Sequence, residues 1–261
     1  MSIKWKWLLM GVLLISFSLY LYFSGNKHDL NTEGMTRYDT PNFSIFYESL
    51  KESTLTDIEK LLEETYVNIN QVFDIDDSIK TKIIVCRNVN DFQRRSFGLV
   101  KSIKLDDWVV GVAIKDLAVV ASPESPGSIY NYETLLGVLS HEYVHTYLWR
   151  LNPHINIWLN EGFAAYFSNQ KQEITGDPPS FDDMSSNETN IFVKSNGYVY
   201  SYYYMEYLLN NYGRKEIIDL VKTGDYSKSL GASKKEIYTN WIEYLEKNQN
   251  KINDLNTRPR K

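Results

Sequence analysis

The chain has 261 residues, of which 43% are hydrophobic and 14% aromatic, with 20 tyrosines and a formal net charge of −5. This is enough for one ordinary domain with an N-terminal appendage, and the mild acidity argues against non-specific nucleic-acid binding, which needs a basic face. The single cysteine, Cys86, excludes an internal disulfide framework and a Cys-rich metal knuckle, so any metal site must draw on carboxylates and on His28, His141, His145 and His154.

Residues 7–23 carry no charge and follow Lys4 and Lys6, the layout of a secretory signal or signal anchor. No small-residue cleavage site follows the run. Trp5 and Trp7 flank one end and Tyr20, Tyr22 and Phe23 the other, like aromatic belts at two membrane interfaces. These features favour a single-pass anchor over residues 1–24, with a cytoplasmic N-terminus and the rest of the chain outside. Cleavage of the same segment would give a secreted protein. Residues 25–40 are polar and read as a linker, with His28 in solvent.

Beyond the linker, Phe43, Ile45 and Tyr47 alternate as in a strand, and the apolar spacing over residues 55–73 is helical. Residues 81–87 read as a buried strand and 89–97 as a short helix. Residues 108–114 and 117–122, separated by Lys115-Asp116, read as a hairpin. Helices are predicted over 131–150, 158–169, 198–212, 214–223 and 233–247, and the tail 248–261 is expected to fray. Strands with a helix first, then mainly helices, make an α+β pattern with one domain over 41–247. There are no internal repeats.

Two of the four histidines fall in one short window, His141-Glu142-Tyr143-Val144-His145, on a predicted helix. Positions i and i+4 share a helix face, so both imidazoles can address one metal, and neutral imidazole suits Zn²⁺. Glu142 stands one position round the helix, where it can reach a water at the metal without binding the metal, as a general base must. A catalytic zinc site needs a third protein ligand and an open position. Glu161 supplies it if the segment Trp158–Phe167 is a second helix folded back by the turn at Pro153. Gly162 and Ala164 are small, which would let that helix pack close to the first. His154 is an alternative ligand, but it sits in the turn.

The string HEYVH followed by WLNEGFAAYF resembles the gluzincin zinc metallopeptidases, whose H-E-x-x-H supplies two ligands and whose next helix supplies a Glu. WLNEGFA is similar to the aminopeptidase N branch, while the shorter spacing with Pro in the turn looks more like the small bacterial peptidase MA-like domains. The resemblance covers residues 41–247, with its specific part in the centre. It implies an N-terminal mixed sheet with a helix, a mainly helical metallopeptidase subdomain and an active-site cleft between them. It also implies one Zn²⁺ held by His141, His145 and Glu161. That branch places a transition-state Tyr at a fixed distance before a helix-ending Gly; with Gly213 in that role the position is Tyr198, with Tyr200, Tyr202, Tyr203 and Tyr204 close by. Such a phenol donates to the developing oxyanion. Gluzincins also run an edge strand above the cleft, which LAVVASP (117–123) resembles, and an exposed edge can pair with an extended peptide.

Three departures bear on function. The Gly-x-Met-Glu-Asn motif that reads a free N-terminus is absent, which favours endopeptidase over exopeptidase action. Ala165 stands where related enzymes often have a carboxylate that orients a ligand His, so that support must come from elsewhere. No thermolysin-type calcium loop is present. The expected protein is thus a membrane-anchored, extracytoplasmic zinc metallopeptidase acting on peptide or protein substrates, with Glu142 and Tyr198 catalytic. The rival is a non-catalytic, zinc-binding sensor or binding module on the same fold.

Overall fold

A computed structural model describes residues 30–73, 80–97 and 109–257, with side chains as far as residue 248. The expected anchor, His28 and Trp108 lie outside the described residues. Among the described residues no helix is long and apolar enough to cross a membrane.

The fold is mixed α+β: a five-stranded sheet followed mostly by helices. The sheet runs β1 (Thr36–Asp39), β2 (Phe43–Tyr47), β3 (Thr81–Cys86), β5 (Leu117–Ala121) and β4 (Gly111–Ile114) in spatial order. β2, β3 and β5 are parallel neighbours, and β1 and β4 close the two sides antiparallel. The parallel step from β2 to β3 needs a crossover, which helix α1 (Glu52–Phe73) provides.

The central strands are apolar on both faces because both faces are covered. Ile83 and Val85 of β3 face a core with Ile58, Leu62 and Ile69 of α1 and with Leu139, Tyr143 and Tyr147 of helix α3 (Tyr132–Leu151). Ile84 and Cys86 of the same strand face Phe92 and Phe97 of helix α2 (Val89–Phe97). At about 25 cal/mol per Å² of apolar surface, each fully buried Ile or Phe contributes about 1.5–3 kcal/mol. A hydroxyl pair, Thr65 to Ser140 at 2.7 Å, ties α1 to α3 inside this core.

After the sheet the chain is helical: α3, α4 (Ile157–Phe167), α5 (Phe181–Ser185), α6 (Thr189–Lys194), α7 (Gly197–Asn211), α8 (Arg214–Thr223), α9 (Tyr226–Leu230) and α10 (Lys234–Thr257). Asn131 caps α3 by accepting from Thr134 N, and Asn156 caps α4 by accepting from Trp158 N. These caps satisfy N–H groups that the first turn leaves without an intrahelical partner.

Several expectations change. Residues 36–39, read as linker, form edge strand β1, whose mostly exposed TRYD sequence has no apolar alternation to announce it. α5, α6 and α9 are short helices in stretches for which no element was expected, and α10 runs past the expected end at 247 to Thr257. β5, expected at the sheet edge, is paired on both sides; β4 is the edge strand. Gly162 serves a different contact from the one expected. A Cβ there would lie 2.6 Å from Ser201 O, so the glycine seats α4 against α7 rather than against α3.

Candidate metal centre

His141 and His145 lie one turn apart on α3, and their Nε2 atoms approach to 3.1 Å. The loop through Pro153 returns the chain, and α4 delivers Glu161 from the opposite side. Its Oε1 is 3.3 Å from His145 Nε2 and its Oε2 is 3.5 Å from His141 Nε2. The three residues offer ligand atoms that all lie within 4.8 Å of one another. His141 and Glu161 are buried and His145 is nearly so.

The donor set fits a cation. Around a tetrahedral ion with bonds of about 2.0–2.1 Å, neighbouring ligand atoms lie about 3.3 Å apart, close to the separations found. His145 Nδ1 is 3.0 Å from Asn160 Oδ1, an acceptor that places the ring proton on Nδ1 and leaves Nε2 as a lone pair facing inward. Glu161 Oε1 is buried without a hydrogen-bond partner among the described residues. Inward lone pairs and a buried carboxylate, gathered without compensating donors, are unfavourable unless a positive charge sits among them. The group His141, His145 and Glu161 can therefore hold a metal ion.

Electrostatics agree. Burial pushes the His141 imidazole down to about 4 and lowers His145 as well, so both rings are neutral at physiological pH, the form that binds metals. Burial raises the Glu161 carboxyl, opposed by the neighbouring His145. These shifts describe the metal-free protein; a bound cation favours the ionised carboxylate.

Glu142 points to the sheet side of α3. Its carboxyl is pushed well up, by burial first and by the nearby Glu161 second, while the Ala113 backbone N–H of β4 donates to it and works the other way. Gly111 on the same strand leaves the room for this. A Cβ at Gly111 would lie 2.5 Å from Val138 Cγ1 and 2.9 Å from Glu142 Cγ. The edge strand thus holds the Glu142 carboxylate in place.

Tyr198 lies in the first turn of α7, half-buried, its ring edge-on to Phe192 at 4.9 Å between centroids. Its phenol is pushed well up by burial and by the charges of Glu161 and Glu142, which places it in the same electrostatic neighbourhood as both. Three of the neighbouring tyrosines of α7 have hydroxyls engaged elsewhere. Tyr200 donates to Gly176 O, Tyr203 to Gln172 O and Tyr204 to the Tyr226 hydroxyl. His154 is exposed in the turn between α3 and α4, away from the cluster.

Residues that the sequence reading did not single out complete the site. Asn160 is one; its only signal is its place beside Glu161. Gln170 is another: its amide lies at the His141 ring and its Nε2 donates to Gly137 O at 3.2 Å. Gly111 and Ala113 are the third element, visible only once β4 is placed over α3. Comparison with models of known protein families and with curated protein sequences gave no match.

Proposed function

We propose that this chain is a zinc metallopeptidase of the gluzincin type that hydrolyses internal peptide bonds. Zn²⁺ would be held by His141, His145 and Glu161. The observation that carries the reading is Glu142: a buried carboxylate beside the metal-holding group but not part of it, fixed by a strand that could itself receive a substrate. A purely structural metal site has no use for such a group.

Bound in this site, zinc supplies Lewis-acid polarisation of the scissile carbonyl and a lowered pKa for water. Glu142 takes the proton of the attacking water and delivers it to the amine nitrogen as the C–N bond breaks. Burial raises its pKa above the ordinary carboxylate value, the direction that strengthens a carboxylate as a proton acceptor. Tyr198 remains protonated, because burial and two neighbouring carboxylates disfavour its phenolate, and it donates to the oxyanion as it develops. The outer edge of β4 has no strand partner among the described residues, so an extended peptide can add alongside it, in the cleft between sheet and helices. Residues 7–23 would anchor the chain, with the catalytic domain outside the cytoplasmic membrane.

The test is Glu142→Gln, assayed on unstructured protein substrates with metal content measured on the same samples. The variant is expected to keep its metal and fold and to lose activity by about 10²-fold or more. A variant that hydrolyses as fast as the parent would overturn the mechanism and favour the non-catalytic module.

A further inference from the structure

His141 has a second ring nitrogen that the metal reading leaves unexplained. If Nε2 is to bind a metal, Nδ1 must carry the proton, and Nδ1 is buried without a hydrogen bond of ordinary length. His145 has Asn160 for this purpose. Position 165, one turn after Glu161 on α4, is an alanine and offers His141 nothing.

The end of α4 brings a different residue to the ring. Asn169 takes the left-handed conformation with φ 55°, its N–H bonds Tyr166 O at 3.1 Å, and the N–H of Gln170 bonds Ala165 O at 2.8 Å. This is a Schellman closure, with Asn standing where Gly is commonest. It locks the Gln170 backbone onto the carbonyl of Ala165. From there the side chain crosses to α3, where its Nε2 donates to Gly137 O, one turn before His141. An amide whose nitrogen is spent on a carbonyl presents its oxygen as an acceptor, and the interaction of this amide with the His141 ring favours the protonated ring, as an acceptor does.

We propose that Gln170 is the positioning residue for His141: its Oε1 accepts the Nδ1–H, fixes the tautomer that leaves Nε2 free for the metal, and replaces the carboxylate that Ala165 lacks. This rests on the metal-site reading above. A neutral amide makes the imidazole less electron-rich than a carboxylate would. The site is therefore tuned to weaker metal binding than its ligand set alone allows, and strengthening the acceptor should tighten it.

The variants are Gln170→Met, which keeps the length and removes the acceptor, and Gln170→Glu, which makes the acceptor anionic. Zinc affinity is read by competition with a chromogenic chelator, with far-ultraviolet circular dichroism confirming the fold. Gln170→Met is expected to bind zinc about 10–100-fold more weakly than the parent, and Gln170→Glu at least as tightly as the parent. Parent-like affinity in Gln170→Met, or equal weakness in both variants, overturns the assignment. A second readout needs no metal: long-range ¹H–¹⁵N spectra of the imidazoles in the metal-free chain. The Nδ1–H tautomer of His141 should dominate in the parent and lose population in Gln170→Met, and an unchanged ratio also overturns the proposal. Should the parent take up no zinc at all, the metal reading fails, and the tautomer ratio alone decides the role of Gln170.

Discussion

Asn160 and Glu161 are neighbours in the chain, yet they serve the same histidine from two sides: Asn160 Oδ1 is 3.0 Å from His145 Nδ1, and Glu161 Oε1 is 3.3 Å from His145 Nε2. One helix start therefore supplies both the residue that orients the ring and the residue that shares a ligand position with it. This is possible because successive side chains on a helix point about 100° apart, so Asn160 and Glu161 of α4 reach the imidazole from different directions.

The metal should be stoichiometric and stabilising. Purified residues 25–261 are expected to carry about one zinc per chain by elemental analysis, and His145→Ala or Glu161→Ala to carry none, since a catalytic zinc site needs three protein ligands and each variant keeps two. A ligand that binds only the folded state adds about 4 kcal/mol when present at about 1,000 times its Kd. Chelation should accordingly lower the Tm of the parent and leave that of His145→Ala where it was.

Tyr198→Phe tests the phenol. Loss of one oxyanion donor lowers kcat by about 10²–10³-fold, with KM little changed because the contact is made only in the transition state. Tyr200→Phe and Tyr203→Phe remove hydroxyls that donate to backbone carbonyls. They should cost about 1 kcal/mol of stability each and leave kcat alone. Loss of kcat in one of these and not in Tyr198→Phe would move the role along the helix.

Two glycines predict opposite outcomes for the same substitution. Gly111→Ala drives a Cβ to 2.5 Å from Val138 Cγ1 and 2.9 Å from the Glu142 side chain. It should destabilise by about 1–3 kcal/mol and displace the Glu142 carboxylate, lowering activity beyond the stability loss. Gly137→Ala, mid-helix in α3, meets nothing closer than Gln170 Nε2 at 3.8 Å. It should stabilise by about 0.5–1 kcal/mol through helix propensity. Urea denaturation of both variants checks the pair.

The pH dependence of stability follows from Glu142. In the metal-free protein its folded pKa is raised above the ordinary carboxylate value, so between the unfolded and folded pKa values the native state holds the extra proton. The native state is then progressively penalised as pH rises through that window. Glu142→Gln removes the penalty. The metal-free variant should match the parent below about pH 4, where both states are protonated, and exceed it increasingly at higher pH. His141 acts in the other direction. Its pKa is depressed to about 4, so its neutral burial costs stability as pH falls from about 6.5 to 4, in parent and variant alike. The difference between the two curves therefore isolates Glu142. A constant offset across pH 4–8 would rule out a buried titrating carboxyl.

The sequence by itself determined the parts of this protein that depend on local periodicity. His141 and His145 at i and i+4 share a face on any helix, and Asn152-Pro153 ends that helix whatever lies around it. The segment 81–87, apolar on successive positions from Ile83 to Cys86, reads as a strand of a sheet covered on both faces. The tertiary structure decided everything that depends on which surfaces meet. β4 rather than β5 became the edge, because strand order is set by crossover packing and not by either strand's own sequence. Gly111 and Ala113 acquired meaning only when that edge came to lie against Glu142. Strand β1 has an exposed, polar sequence and exists because β2 offers it backbone partners. Gln170 reaches His141 through a helix-terminating turn at Asn169, a contact between chain segments that no period in the sequence encodes. Ligand spacing is a one-dimensional property of a helix, whereas the residues that hold the ligands in place are fixed by packing in three dimensions.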